Sequence, residues 1–283
     1  MEDMVWLPKA EPSDDRRKGS SRSSNVDVCS RSERSLTRMI AMVVLGAVLL
    51  GSLGWLGWVY LGAHRGNTLY TATVEEYFDP QESSKTGPIV NFEKLKSQNA
   101  DIKGWIYIKE SPINYPILHA PKEEGGDNKY LRRTYDGKRD ILGSIILSEY
   151  NSPAFTDQNT LIFGHNSHGT SMFGSLKDYA RPSYFESRPT ISILLEGKTL
   201  EYQVFSCFET DSNSEVYTTS FKNDDAFVGW KERMLSNSVI TIQDGAVHGT
   251  ASTLVLSTCS NSSASSRRFV VVAELSDVIT RFD

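Results

Sequence analysis

Three side chains in this sequence have types and settings suited to acyl transfer. Cys259 closes the run Leu254-Val255-Leu256-Ser257-Thr258-Cys259 and opens a polar loop over 260–266. A cysteine at a strand end beside small residues can present its sulfur to a cleft, although a cysteine packed as a small hydrophobe satisfies the same pattern. His165 ends a second run, Leu161-Ile162-Phe163-Gly164-His165, ahead of another Ser/Gly loop. Arg267 and Arg268 open the apolar run Phe269-Val270-Val271-Val272. If the strands on either side of the 260–266 loop pair antiparallel, Cys259 and Arg268 emerge at one end of the sheet. A thiolate there would attack a carbonyl carbon and an imidazolium would protonate the leaving amine. A guanidinium, which cannot deprotonate, would donate hydrogen bonds to the developing oxyanion. An ordinary thiol, with a pKa of about 8.5, is mostly protonated at neutral pH, so a minority of molecules would hold thiolate and imidazolium together.

Other chemistry fits less well. His165 and His168 form a His-x2-His pair, but only two ligands are local, so neither a metal nor another cofactor is expected. His64, His119 and His248 lack a supporting context. Cys207 lies among aromatics in Tyr202-Gln203-Val204-Phe205-Ser206-Cys207-Phe208 and reads as core. No Lys/Arg stripe with interleaved aromatics exists, and the net charge is −5, which argues against nucleic acid as a partner.

The elements that must carry these residues are mostly strands. Runs rich in β-branched and aromatic residues recur at 105–108, 113–118, 143–147, 160–163, 190–195, 200–208, 253–258 and 269–275, each bounded by Gly, Pro, Asn or Asp. Eight short strands predict a mainly β fold with a closed or sandwiched core. Three helices are expected around it: a short one within 90–100, one at 172–179 with Phe173, Leu176 and Tyr179 on one side, and one at 224–235 capped by Asn223 or Asp224.

Upstream, residues 39–62 contain no charged side chain over 24 positions. As a helix they would span roughly 36 Å, enough for a bilayer core of about 30 Å. The run is longer than a signal-peptide core and ends in Trp55, Trp58 and Tyr60, as an uncleaved single-pass anchor in membrane lipid would. Arg31, Arg34 and Arg38 crowd its N-terminal flank, which predicts a cytoplasmic N-terminus and an extracellular C-terminal part. The expected organisation is a disordered, Ser/Arg-rich cytoplasmic tail over 1–38, an anchor over 39–62, a stalk over 63–88 and an extracellular domain over 89–283.

The segments TLIFGHN (160–166), TLVLSTC (253–259) and RRFVVV (267–272) resemble the three signature blocks of sortases, the membrane-anchored cysteine transpeptidases of Gram-positive bacteria. NFEKLKSQNADIKGWIYIKESPINYPILH (91–119), DNKYLRRTYDGKRDILGSIILS (127–148) and SMFGSLKDY (171–179) are similar to class B members. The resemblance implies an eight-stranded β-barrel with an N-terminal helix and inserted helices. It puts the family's histidine on His165, its nucleophile on Cys259 and its arginine on Arg268, with Arg267 as rival. It also suggests Asn128, Leu131, Tyr217 and Ser257 as substrate-binding residues. The implied reaction cleaves a sorting motif of a secreted protein through a Cys259 thioester and passes the acyl group to a peptidoglycan cross-bridge amine or a pilin Lys. The lid motif of pilus-type class C enzymes is missing, because Asp79-Pro80 is followed by Gln81. Two other readings stand beside this one: another exported cysteine protease or L,D-transpeptidase, and a non-enzymatic anchored β-barrel with Cys207 and Cys259 disulfide-bonded.

Overall fold

Apolar strands three to fourteen residues long cannot bury both faces alone, so they close on one another. In the computed structural model, which describes residues 26–80, 87–166, 171–241, 247, 249–259 and 267–281, the eight expected strands are all present. They are β3 (Ile102–Tyr107), β4 (Asn114–Leu118), β5 (Ile145–Leu147), β6 (Asn159–His165), β7 (Thr190–Leu195), β8 (Lys198–Asp211), β9 (Thr253–Cys259) and β10 (Arg267–Thr280). They form one closed barrel in the order β10-β8-β7-β3-β4-β5-β6-β9. Pairing is antiparallel except at β4–β5 and β6–β9, which are parallel.

Two cores explain why the strands β9 and β10 read as unbroken apolar runs. Leu254, Leu256, Val271 and Ala273 face one cluster, with Trp105, Ile117, Ile145 and Ile193. Their neighbours Val255, Val270 and Val272 face a second, with Phe205, Phe208, Phe227, Trp230 and Met234. Strands covered on both faces lose the alternation that a half-exposed strand shows. The cover is the helix α4 (Asp224–Ser236), whose N-cap Asn223 accepts from the Ala226 N–H. Its Lys231 is fully buried and pairs with Glu274 of β10 at 2.5 Å, also donating to the Ala251 carbonyl at 3.1 Å.

Of the other two expected helices, the first is present and the second takes another form. The helix α2 (Phe92–Gln98) is short, capped by Asn91 and buries Phe92 and Leu95. The segment after His165 forms a 3-10 helix, Gly174–Ala180, and then α3 (Pro182–Ser187), instead of one α-helix. Pro182 has no N–H to continue a helix and starts a new one at its first turn.

The chain divides into two compact units, Met1–Leu56 and Gly57–Asp283. The described part of the first belongs to α1 (Val26–Tyr77), where Val43, Leu45, Leu50 and Trp55 are exposed. From Leu36 onward this helix is long and apolar enough to cross a membrane. Helical structure begins at Val26, inside the segment whose composition suggested a disordered tail. Within the second unit, the expected stalk is replaced by the end of α1, which buries Gly66, Tyr70, Thr73 and Tyr77. The pair β1 (Phe78–Asp79) and β2 (Ile89–Val90) follows. Polar residues between widely spaced aromatics had hidden a helix with one buried side.

Candidate active site

The parallel pair β6–β9 runs in unbroken register from Asn159 opposite Thr253 to His165 opposite Cys259. The two residues singled out for chemistry therefore end adjacent strands side by side. On the far side of β9, β10 pairs antiparallel up to Val270 opposite Ser257. There the ladder changes character: the Phe269 N–H donates to Thr258 Oγ1 at 3.0 Å, and that hydroxyl lies 3.3 Å from the Phe269 carbonyl. Two residues beyond the last paired positions stand Cys259 and Arg268, as antiparallel neighbours require. Arg268 is half-buried and Nη1 donates to the Arg267 carbonyl at 3.2 Å. Arg267 is exposed and bonds Glu209 at 2.8 Å. Consecutive strand residues face opposite sides, and Arg268 shares the alternation of Val270 and Val272, as His165 shares that of Leu161 and Phe163.

His165 is buried, and its ring is held by backbone. Nε2 lies 2.5 Å from the Leu131 carbonyl oxygen. A carbonyl only accepts, so Nε2 carries a proton. Gly143, at φ +60°, lies against both groups: a Cβ there would stand 2.4 Å from the Leu131 oxygen and 2.9 Å from His165 Cδ2. Gly164 makes room similarly, since a Cβ would meet Ile145 and Phe173 at 2.7 Å. After the histidine, Phe173 N–H bonds the His165 carbonyl at 3.0 Å and Met172 N–H bonds the Tyr115 hydroxyl at 3.1 Å.

The loop that brings in Leu131 is itself pinned. Lys129 forms ion pairs with Asp101 at 2.7 Å and Glu124 at 2.8 Å. Tyr130 donates to Asp101 at 2.7 Å and accepts from Asn99. Burial works against the Asp101 carboxylate, but Lys129 and the Tyr130 hydroxyl outweigh it and hold its pKa below the usual value. The two acids in turn raise the pKa of Lys129. Asp127 and Glu149 clasp each other's backbone N–H groups, at 2.6 Å and 3.1 Å. Burial pushes the Asp127 carboxyl up despite its bond from the Glu149 N–H.

Of the suggested substrate-binding residues, Tyr217 and Ser257 meet: their hydroxyls are 3.0 Å apart, with the Tyr217 ring tilted against Phe163 at 6.2 Å. Ser257 is buried opposite Phe163 and adjoins the His165–Cys259 end of the strands. Leu131 reaches His165 through its carbonyl, and Asn128 is exposed three residues earlier in the same turn. His168, His248 and the 260–266 loop lie outside the described residues. Cys207 is a free, buried thiol whose S–H donates to the Tyr179 carbonyl at 3.4 Å, so the disulfide-bonded reading is corrected. Burial pushes that thiol up to about 12. Sequence reading passed over Gly143 and Tyr115. The Leu142-Gly143-Ser144 turn was a visible punctuation mark, but its closeness to His165 is a tertiary fact.

The barrel, and the strand ends it brings together, belong to one class of protein. The Sortase domain matches residues 106–276, and the chain belongs to the sortase family of transpeptidases. Its relatives are of the B type. It is 29% identical to "Sortase B" of Listeria monocytogenes over 227 residues, covering 79% of this chain and 89% of that protein. The Staphylococcus aureus sortase B–substrate complex superposes with a TM-score of 0.61 at 27% identity, covering 77% and 93% of the two chains. The Bacillus anthracis sortase B structure with AAEK1 gives 0.64 at 26% identity, covering 79% and 100%.

Proposed function

We propose that this transpeptidase uses Cys259 as nucleophile, His165 as acid–base group and Arg268 as oxyanion donor, in the manner of class B sortases. The observation that carries the reading is the register of His165 against Cys259 at the end of β6 and β9. Cys259 Sγ attacks the carbonyl of a sorting motif in a secreted protein, His165 protonates the departing amine, and a thioester remains on the enzyme. An amine then displaces the thiol, supplied by a peptidoglycan cross-bridge or a pilin Lys. The choice of Arg268 over Arg267 is supported by the Glu209 pairing that engages the latter. Tyr217 and Ser257 would line the substrate groove, with Asn128 and Leu131 on its other wall. That a Staphylococcus aureus relative was solved as a substrate complex supports a peptide groove in this barrel.

Residues 39–62 would hold the enzyme in the cell membrane, with residues 1–38 cytoplasmic and 89–283 as the extracellular catalytic domain. Tethering raises the effective concentration of enzyme beside emerging substrates. The test is incubation of the protein with a panel of sorting-motif peptides plus glycine oligomers or pilin, read by mass spectrometry. Wild type forms an acyl-enzyme on the Cys259 peptide, and Cys259→Ala forms none. Transpeptidation retained by that variant overturns the assignment.

A further inference from the structure

The end of α1 is packed against the turn on which the His165 ring rests. Tyr70 is buried, and its hydroxyl donates to the Gly143 carbonyl at 2.6 Å and lies 3.2 Å from Ser144 Oγ. Ser144 in turn donates to the Arg133 carbonyl at 2.7 Å, and its N–H bonds the Tyr130 carbonyl. Gly143 is the residue at which a Cβ would meet both the Leu131 oxygen and His165 Cδ2. One turn earlier, Gly66 lets the helix touch the same segment, since a Cβ there would stand 2.6 Å from Leu142 Cδ1 and 2.8 Å from Asp140 Oδ1. Asn67 accepts from Ser171, which follows the histidine's own loop, at 2.6 Å. The Tyr70 ring meets Tyr115 edge-on at 5.3 Å and Tyr135 at a tilt at 6.1 Å, and the Tyr115 hydroxyl also accepts from Met172 N–H.

We infer that Tyr70 is a positioning residue for the acid–base histidine: its hydroxyl fixes the Gly143 peptide, and Gly143 with the Leu131 carbonyl fixes the His165 ring. The segment that links the apolar run to the barrel thus acts on the site as well as tethering it. The inference rests on the assignment of His165 made above. The Tyr70 hydroxyl reaches across 73 residues of sequence and is the sole polar tie from this helix to the Gly143 carbonyl among the described residues. The misplacement its loss allows, a fraction of an ångström at the ring, is of the size that slows acyl transfer without weakening substrate binding.

The test compares full-length wild type, Tyr70→Phe, Thr73→Val and His165→Ala in detergent micelles. Tyr70→Phe keeps the ring packing and removes only the hydroxyl. Thr73→Val removes a buried hydroxyl bonded only within α1, to the Leu69 carbonyl at 2.7 Å. With 15N-histidine label, the His165 Nε2–H signal is assigned by its loss in His165→Ala. Its exchange with water should quicken about tenfold in Tyr70→Phe and stay unchanged in Thr73→Val. With the fastest-cleaved peptide of the panel, Tyr70→Phe should lower kcat about tenfold at constant KM. A Tyr70→Phe signal and kcat that overlay wild type overturn the inference, as does an equal effect in Thr73→Val. Transpeptidation retained by His165→Ala overturns the assignment of the histidine itself, whatever the Tyr70→Phe spectrum shows.

Discussion

Arg267 and Arg268 are adjacent and chemically identical, yet alternation along β10 gives them different surroundings. Arg267 projects into solvent and is engaged by Glu209, an exposed pair of the kind worth about 0–1 kcal/mol. Arg268 is half-buried at the level where Cys259 ends its strand. On the oxyanion role proposed above, Arg268→Ala should lower kcat by roughly 10²–10³. Arg267→Ala should leave kcat within about twofold of wild type, since surface pairs of this kind contribute so little. Steady-state kinetics on the best panel peptide would read both; equal losses would show that the fork in β10 is misassigned. His165 was legible in the sequence as a histidine at a strand end. What the sequence does not contain is its environment, a proton on Nε2 shared with a carbonyl 34 positions away.

Among the elements, strands were legible and their partners were not. The eight apolar runs announced β3 to β10 because β-branched residues between turn signals have few other uses. The β6–β9 pairing was invisible, since parallel neighbours carry no local turn to betray them. Residues 63–77 misled because a helix with one buried side every third or fourth residue, here Gly66, Tyr70, Thr73 and Tyr77, looks polar when read linearly. The turn between the Leu131 loop and β5 shows how far an element's geometry can matter. Gly143→Ala places a methyl at φ +60°, where it meets the Leu131 oxygen and the His165 ring. It should cost about 1–3 kcal/mol of stability and lower kcat by about tenfold or more. Thermal melts beside kinetics would check this, and a variant with both values intact would remove Gly143 from the histidine's support.

At the scale of the whole molecule, a buried ion pair adds to the apolar contacts between the barrel and its α4 cover. Lys231 and Glu274 are both inside, and the ammonium also meets the Ala251 carbonyl. Breaking such a pair from one side leaves an uncompensated charge, so Lys231→Ala should cost about 3–5 kcal/mol. The double change Lys231→Met with Glu274→Leu should recover most of the loss, because apolar residues of similar volume carry no desolvation cost. Denaturant unfolding of wild type, Lys231→Ala and the double variant reads both effects, and a double variant as unstable as Lys231→Ala would refute this account of the pair. A final consequence comes from the parallel strands that end in His165 and Cys259. Ninety-odd residues, including β7, β8 and α4, lie between them, so no local stretch of chain can assemble the pair. On the assignment proposed above, a partly synthesised or loosely collapsed molecule carries a thiol without its acid–base partner, and the two meet only once the seam between these strands is closed.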